Sequence, residues 1–393
     1  MKKISKTLLA LVLSIFMGIQ GLNIQIKGAA GSIRPTTYGF VAQGGDEGYN
    51  DLITKAGMEK LTYTANETTL NYWAHIPKNK DGSAVKNLPV VLYMHGYSDG
   101  GNTTAPIQYH NAILYSLIKD QEKSDRQAII LVPQTPETIQ QSPTNYLNAQ
   151  WVDIAGPKDD QGWSKWNNKT FDMSTKARTA NLNAVLSLLN KVQQENSADL
   201  DRTYVTGMSM GGYATWDLIS RDDANIFAAA VPICGVGDPT RVENMKNVPI
   251  RTFHGGSDTT ISPESTRLMY HNLRKYGNIS YTEYPNENHG SWESAYSNTL
   301  DDNHNGKVNI DDLIEWMFNQ SRKGTLDKKV DKEPLAQIVR DAKNEEEENH
   351  TLDDWKSLQA EIVKAEALIA SESATYEQTK ASAKVLDELI NKI

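Results

Sequence analysis

Gly207-Met208-Ser209-Met210-Gly211-Gly212 decides how this chain reads. The stretch follows the β-branched and aromatic run Thr203-Tyr204-Val205-Thr206 and precedes a predicted helix over 213–221. A strand, a tight Gly-flanked turn with a central Ser, and then a helix form the context that gives G-x-S-x-G chemical meaning. The flanking glycines permit a sharp bend and keep Cβ atoms off the Ser hydroxyl. A helix N-terminus behind the turn favours negative charge that develops beside it. Ser209 is therefore the candidate nucleophile.

A Ser hydroxyl is a weak nucleophile until a neighbouring imidazole takes its proton. The imidazole in turn needs a buried carboxylate to fix its tautomer and stabilise its charged form. After such a turn the acid and the His follow along the chain, in that order. Val248-Pro249-Ile250-Arg251-Thr252-Phe253-His254 reads as a buried strand that runs into Gly255-Gly256-Ser257-Asp258. Asp258 thus falls just past a strand's C-terminal end, where open α/β sheets place their sites. A last strand over 279–284 leads into Pro285-Asn286-Glu287-Asn288-His289-Gly290, which puts His289 in the following loop. Asp238, after a strand over 228–234, competes with Asp258 for the acid's place. His254 precedes Asp258, the wrong order for the base, and reads as a satisfied strand-end histidine. His271 sits inside a predicted helix over 263–275, which favours a structural role. His304 falls in an Asp- and Asn-rich stretch and His350 in a charged helical tail.

Leu88-Pro89-Val90-Val91-Leu92-Tyr93-Met94 reads as a central strand ending in His95-Gly96-Tyr97. A His-Gly turn there supplies one backbone N–H to an oxyanion hole, and the residue after the nucleophile supplies the other. The expected donors are Tyr97 and Met210, with His95 bracing the turn. Asp99-Gly100-Gly101 reads as an ordinary surface loop.

On these residues, together with Val132-Pro133-Gln134, the chain resembles secreted α/β-hydrolase esterases over about 62–320. The nearest groups are the feruloyl-esterase and polyhydroxybutyrate-depolymerase-like enzymes, and the peptidase-like relatives of prolyl oligopeptidase catalytic domains. The resemblance implies an α/β fold with a mostly parallel eight-strand sheet, and ester hydrolysis through an acyl-enzyme at Ser209. Feruloyl or acetyl esters of plant polysaccharides are the expected substrates. A serine peptidase and a polyester or short-chain lipid esterase are the alternatives. No cofactor is expected for catalysis.

Length and composition agree with an enzyme of this size. The chain has 393 residues, 39% hydrophobic and 23% charged. Lys2, Lys3 and Lys6 precede an apolar run over 7–17, and Gly28-Ala29-Ala30 follows, so residues 1–30 read as a secretory signal. The run is short for a membrane span, and no membrane anchor is expected. Without Lys2, Lys3, Lys6 and Lys27 the formal charge moves from −9 to −13. That balance disfavours nucleic acid and anionic membranes as partners. The lone Cys234, in an apolar strand, reads as a buried inert thiol. Around 134–173 the sequence is irregular and carries Trp151, Trp163 and Trp166. These rings either stack on a sugar or phenolic acid or pin a long loop to the body.

Asp301-Asp302-Asn303-His304-Asn305-Gly306-Lys307-Val308-Asn309-Ile310-Asp311-Asp312 matches a calcium loop. Oxygen donors fall at positions one, three, five, nine and twelve, with Gly at six. The expected ligands of a structural calcium ion are Asp301, Asn303, Asn305, Lys307 (backbone carbonyl), Asn309 and Asp312. The loop resembles a single dockerin-type repeat, and a helix over 311–319 follows.

The catalytic domain is expected over 31–322, with a polar linker over 323–332. Beyond it, 333–393 shows three helical stripes. They are Leu335, Ile338 and Ala342; Trp355, Leu358, Ile362, Ala365 and Ile369; and Tyr376, Thr379, Ala383, Leu386 and Ile390. Thr351 with Asp354, and Thr375 with Gln378, mark two helix starts. This tail resembles the three-helix FIVAR modules of Gram-positive surface and secreted proteins, which implies a spacer or a cell-wall or glycan contact. A secreted, extracellular location with cell-surface association is expected.

Overall fold

The computed structural model describes residues 33–35, 40–42, 53, 57–97, 99–108, 112–119, 127–138, 146–154, 176–221, 224–297, 313–326 and 330–392. The signal segment, Trp163, Trp166, His304 and the whole calcium loop lie outside the described residues.

A two-stranded antiparallel ribbon, β1 (Ile33–Pro35) and β2 (Phe40–Ala42), precedes the main sheet. That sheet has eight strands: β3 (Glu59–Ala65), β4 (Thr68–His75), β5 (Val90–Met94), β6 (Ile129–Gln134), β7 (Thr203–Met208), β8 (Ala229–Ile233), β9 (Ile250–Gly255) and β10 (Ile279–Tyr284). Their spatial order is β10-β9-β8-β7-β5-β6-β4-β3. The β3–β4 and β4–β6 pairs are antiparallel, and every other pair is parallel. The mostly parallel eight-strand sheet expected from the sequence is therefore present.

The inner strands β5 and β8 are apolar throughout because both of their faces are covered. In β5, Val90, Leu92 and Met94 join one core layer while Val91 and Tyr93 join the other. This is the two-residue alternation of a pleated strand. The first layer receives Leu182, Val185, Leu188 and Leu189 from α2 (Ala180–Glu195) and Tyr213, Ala214 and Trp216 from α3 (Met210–Ile219). The second receives Ile113, Leu114 and Leu117 from α1 (Ala112–Lys119). It also takes side chains from α5 (Trp292–Ser297) and α6 (Leu313–Asn319). Helix α4 (Glu264–Leu273) lies between β9 and β10 in the chain and buries Met269, Tyr270 and Leu273.

Helix α3 begins at Met210, three residues before the position that the sequence suggests. Glycine weakens a helix, so Gly211 and Gly212 argue for a later start. Tight packing overrides that tendency. A Cβ on Gly211 would lie 1.9 Å from the Met94 carbonyl oxygen, and one on Gly212 would lie 2.4 Å from that of Ile233. The glycines serve close approach of helix to sheet.

Three C-terminal helices, α7 (Glu333–Lys343), α8 (Leu352–Ala370) and α9 (Tyr376–Ile390), form a core of their own from Leu335, Ile338, Leu358, Ile362, Ala383 and Leu386, among others. Thr351 accepts from the Asp354 N–H, and Thr375 with Gln378 makes a full capping box. The bundle is seated on the body that carries the eight-strand sheet. Gln337 accepts from the Tyr281 N–H at 2.7 Å and donates to the Tyr281 carbonyl at 2.7 Å. Its amide so pairs the outer edge of β10 as a neighbouring strand would. Buried Arg274 reaches Asp387 at 2.7 Å and Asp341 at 3.0 Å. In the 323–332 stretch, Lys323 pairs with Asp201, and Asp331 accepts the Trp316 indole N–H at 2.7 Å.

Candidate active site

Strand β7 ends in a turn that reverses into α3, and Ser209 is its apex. Ser209 has φ 55 and ψ −120, a region that glycine occupies freely and other residues rarely enter. Its N–H is held by the Ile233 carbonyl at 3.0 Å, and its carbonyl accepts from Tyr213 N–H at 3.1 Å. The strain sits on the serine, while Gly207, Gly211 and Gly212 make room around it. Ser209 occupies the N-cap position of α3 without capping it through its side chain. The hydroxyl is bonded to His289 instead, with Oγ 2.9 Å from His289 Nε2.

His289 and Asp258 leave from adjacent strands. The turn after β9 and the loop after β10 are laced together. Ser257 N–H donates to the Glu287 carbonyl at 2.9 Å, and Thr259 N–H to Asn288 Oδ1 at 3.1 Å. A Cβ on Gly255 would meet the Asn288 carbonyl oxygen at 2.3 Å, so the loop can approach only a glycine there. The Asn288 side-chain oxygen also takes the His289 N–H at 2.8 Å. This lacing brings His289 Nδ1 to 2.8 Å from Asp258 Oδ2. Ser209, His289 and Asp258 form one continuous hydrogen-bonded relay.

Asp258 is buried, and burial alone pushes its carboxyl up. Hydrogen bonds from His254 and His289, with the Ile261 N–H, outweigh that and hold it well below the usual carboxylate range. The carboxylate is the charged end of the relay. Asp238 is elsewhere: it caps a short helical turn, accepting from Thr240 N–H at 2.8 Å and Thr240 hydroxyl at 2.6 Å. His271 lies in α4, as its sequence position suggests.

Cys234, directly after β8, is fully buried. Among the described residues, Cys234, Asp258 and His289 have ligand atoms within 4.8 Å of one another. Burial, with the Asp258 charge second, pushes the thiol well up, which keeps it protonated. The group is therefore a relay with a neutral thiol beside it, and a poor thiolate ligand set.

The Tyr97 and Met210 backbones lie in the turns leaving β5 and β7. Those strands are neighbours in parallel register, with Met94 opposite Gly207, so the two turns stand side by side. The Tyr213 bond to Ser209 opens the helix, and the first N–H groups of α3 precede any intrahelical donor. His95 braces its turn: Nδ1 donates to the Gly96 carbonyl, and Nε2 accepts from Thr135 N–H at 3.1 Å. Burial lowers its pKa, against the nearby Asp99 charge.

Two expectations are corrected here. Trp151 offers no stacking surface: it is fully buried, and its indole N–H donates to the His95 carbonyl at 3.1 Å. It pins the turn. Asp99-Gly100-Gly101 is buried, not a surface loop. Gln134 Nε2 donates to the Asp99 carbonyl at 2.8 Å, and Gly101 N–H to the Thr135 carbonyl at 2.8 Å. Sequence reasoning also missed Asn288 and the contact of His254 with the acid. The His-Gly-Gly-Ser-Asp spacing, four residues around a tight turn, was the available signal.

Residues 155–318 match the dienelactone hydrolase family model, a stretch that includes Ser209, Asp258 and His289. Among curated proteins none matches. A solved thermostable esterase is 28% identical with a TM-score of 0.52, covering 69% of this chain and 64% of its own. This chain thus spans under two thirds of that relative. A Pyrococcus horikoshii acylaminoacyl peptidase (15% identity, TM-score 0.43, 64% of this chain and 41% of that one) is more remote. So is a ferulic acid esterase (14%, TM-score 0.43, 62% and 95%). Sheet order, flanking helices and the family and thermostable-esterase matches together make this an α/β-hydrolase fold, similar to dienelactone hydrolases and to an esterase.

Proposed function

We propose that this chain is an extracellular serine hydrolase of carboxylic esters, acting through an acyl-enzyme. The observation that supports it most is the relay from Ser209 through His289 to Asp258. His289 Nε2 removes the Ser209 proton as Oγ attacks the ester carbonyl. The oxyanion is received by the N–H groups of Tyr97 and Met210. His289 then protonates the leaving alcohol and, in the second half, activates water against the acyl-enzyme. Feruloyl or acetyl esters of plant polysaccharides remain the proposed substrates. They rest on the signal-like N-terminus and on the tail's likeness to wall-associated modules. The tail is proposed to contact cell wall or glycan, and the calcium loop to hold a structural ion.

The test is a fluorophosphonate probe together with p-nitrophenyl acetate. The wild-type protein should be labelled and turn over, and S209A should lose both, with turnover down about a thousandfold or more. An S209A protein as active as wild type would end the reading. Methyl ferulate and acetylated xylan, assayed beside a peptide substrate, test the acyl and alcohol choices.

A further inference from the structure

Asp258 carries more donors than the relay needs. Its Oδ1 accepts from Thr260 N–H at 2.8 Å and Ile261 N–H at 2.9 Å. Its Oδ2 faces two imidazoles: His289 Nδ1 at 2.8 Å and His254 Nε2 at 3.1 Å. A carboxylate has about four lone-pair sites, and here all four are taken. His254 Nε2 also lies 3.0 Å from the Ile261 carbonyl oxygen. Both neighbours of Nε2 are acceptors only, so Nε2 carries a proton.

His254 is fully buried, and its other nitrogen is engaged as well. Nδ1 stands 2.7 Å from the Thr266 hydroxyl, on α4. One ring thereby joins β9, the acid-bearing loop and the helix behind it. A histidine that only filled space would need none of these contacts, and an apolar residue would fill it at lower desolvation cost.

We propose that His254 is a positioning residue of the relay, which holds the Asp258 carboxylate in the one orientation that orders His289. The inference rests on the hydrolase reading above. Without the His254 donor, Oδ2 keeps a single side-chain partner, and only the two backbone N–H bonds on Oδ1 still restrain the carboxylate. His289 Nδ1–H then has a less firmly held acceptor, and Nε2 a looser aim at Ser209 Oγ. A small misplacement at that point is enough to cost turnover. Ground-state binding of the ester does not involve Asp258, so KM should change little.

Two variants separate this role from simple packing. H254M fills the space with a flexible chain that has no donor. H254Q keeps an NH2 group able to serve both Asp258 and the Ile261 carbonyl. With p-nitrophenyl acetate, H254M should lower kcat by about tenfold or more with KM within about twofold, and H254Q should restore most of it. The low-field His289 Nδ1 proton in NMR should shift or broaden in H254M and return in H254Q. H254M with kcat near wild type, or H254Q as impaired as H254M with the His289 proton unmoved in both, would overturn the proposal. Should H254M not fold, H254Q set against T266V, which frees Nδ1, carries the same comparison. T266V turnover and a His289 proton both unchanged would then count against it. Fluorophosphonate labelling of wild-type Ser209 is run alongside: its failure would remove the enzyme reading, not the geometry of His254.

Discussion

His289 Nε2 meets Ser209 Oγ at 2.9 Å, although 80 residues separate the two in the chain. The contact takes the hydroxyl away from the helix it would otherwise cap. Ser209 is also held at φ 55, where an L-residue is strained. Both features exchange local stability for a hydroxyl presented to His289.

Glycine at this position should therefore stabilise the protein while abolishing its chemistry. Glycine adopts the same backbone without a Cβ clash, which relieves about 1–3 kcal/mol of strain. Loss of the His289 hydrogen bond offsets about 1 kcal/mol of that. S209G should melt at or above wild type, and above S209A, which keeps the strain. Calorimetry on the three proteins checks the order, and S209G melting below S209A would contradict it.

Asp258 gives the stability of the protein a pH dependence of known sign. Hydrogen bonds from His254 and His289 hold its folded pKa well below that of an aspartate in the unfolded chain. Such a group stabilises the fold at pH values above the unfolded pKa, and that stability is lost as pH falls through the folded value. Wild type should lose melting temperature more steeply than D258N as pH drops below about 4. D258N should also lower turnover by roughly 10⁴-fold at neutral pH, since the imidazole loses its tautomer control. Parallel melting curves against pH for the two proteins would be the contrary result.

Much of this was readable from residue types alone. The order Ser209, Asp258, His289 and the strand ends that carry them follow from apolar runs broken by glycine and from the sequence of chemical roles. The helix stripes of the tail and its Thr351 and Thr375 caps were equally legible, because periodicity and capping are local. What escaped depends on long-range packing. Trp151 is an aromatic in an irregular stretch by sequence, and only the fold shows its N–H spent on the His95 carbonyl 56 residues away. Asp99 reads as a loop residue until Gln134 and Thr135 are seen to close over its turn. Gln337 carries no signal of edge pairing, since its partner Tyr281 lies 56 residues before it.

Gly211 has no tolerance for a side chain. Its Cβ would stand 1.9 Å from the Met94 carbonyl oxygen and 2.9 Å from that of His95, and neither backbone can retreat without moving β5. G211A should destabilise by about 3 kcal/mol or more, or fail to accumulate as folded protein, despite alanine's better helix propensity. A G211A protein melting within a degree or two of wild type would show that α3 can slide on the sheet.

The seating of the helical bundle depends on Arg274. Its side chain is 5% exposed and lies between Asp387 and Asp341, with the Tyr270 hydroxyl donating to Asp341 at 2.7 Å. Replacing it by methionine leaves the Asp387 and Asp341 carboxylates near each other with no cation between them. Removing one partner of a buried ion pair costs about 3–5 kcal/mol, and the partial exposure of Asp341 places this case at the lower end. The loss falls on the joint between bundle and body, because each has its own core. R274M should therefore convert a single denaturation step into two and open the 323–332 stretch to limited proteolysis, while Ser209 still reacts with a fluorophosphonate. A second change, D341N with D387N, removes the repulsion that R274M creates and should recover part of the lost stability. R274M unfolding in one step at the wild-type midpoint would mean that the Gln337 pairing with Tyr281 and the surrounding apolar contacts hold the bundle without the ion pairs.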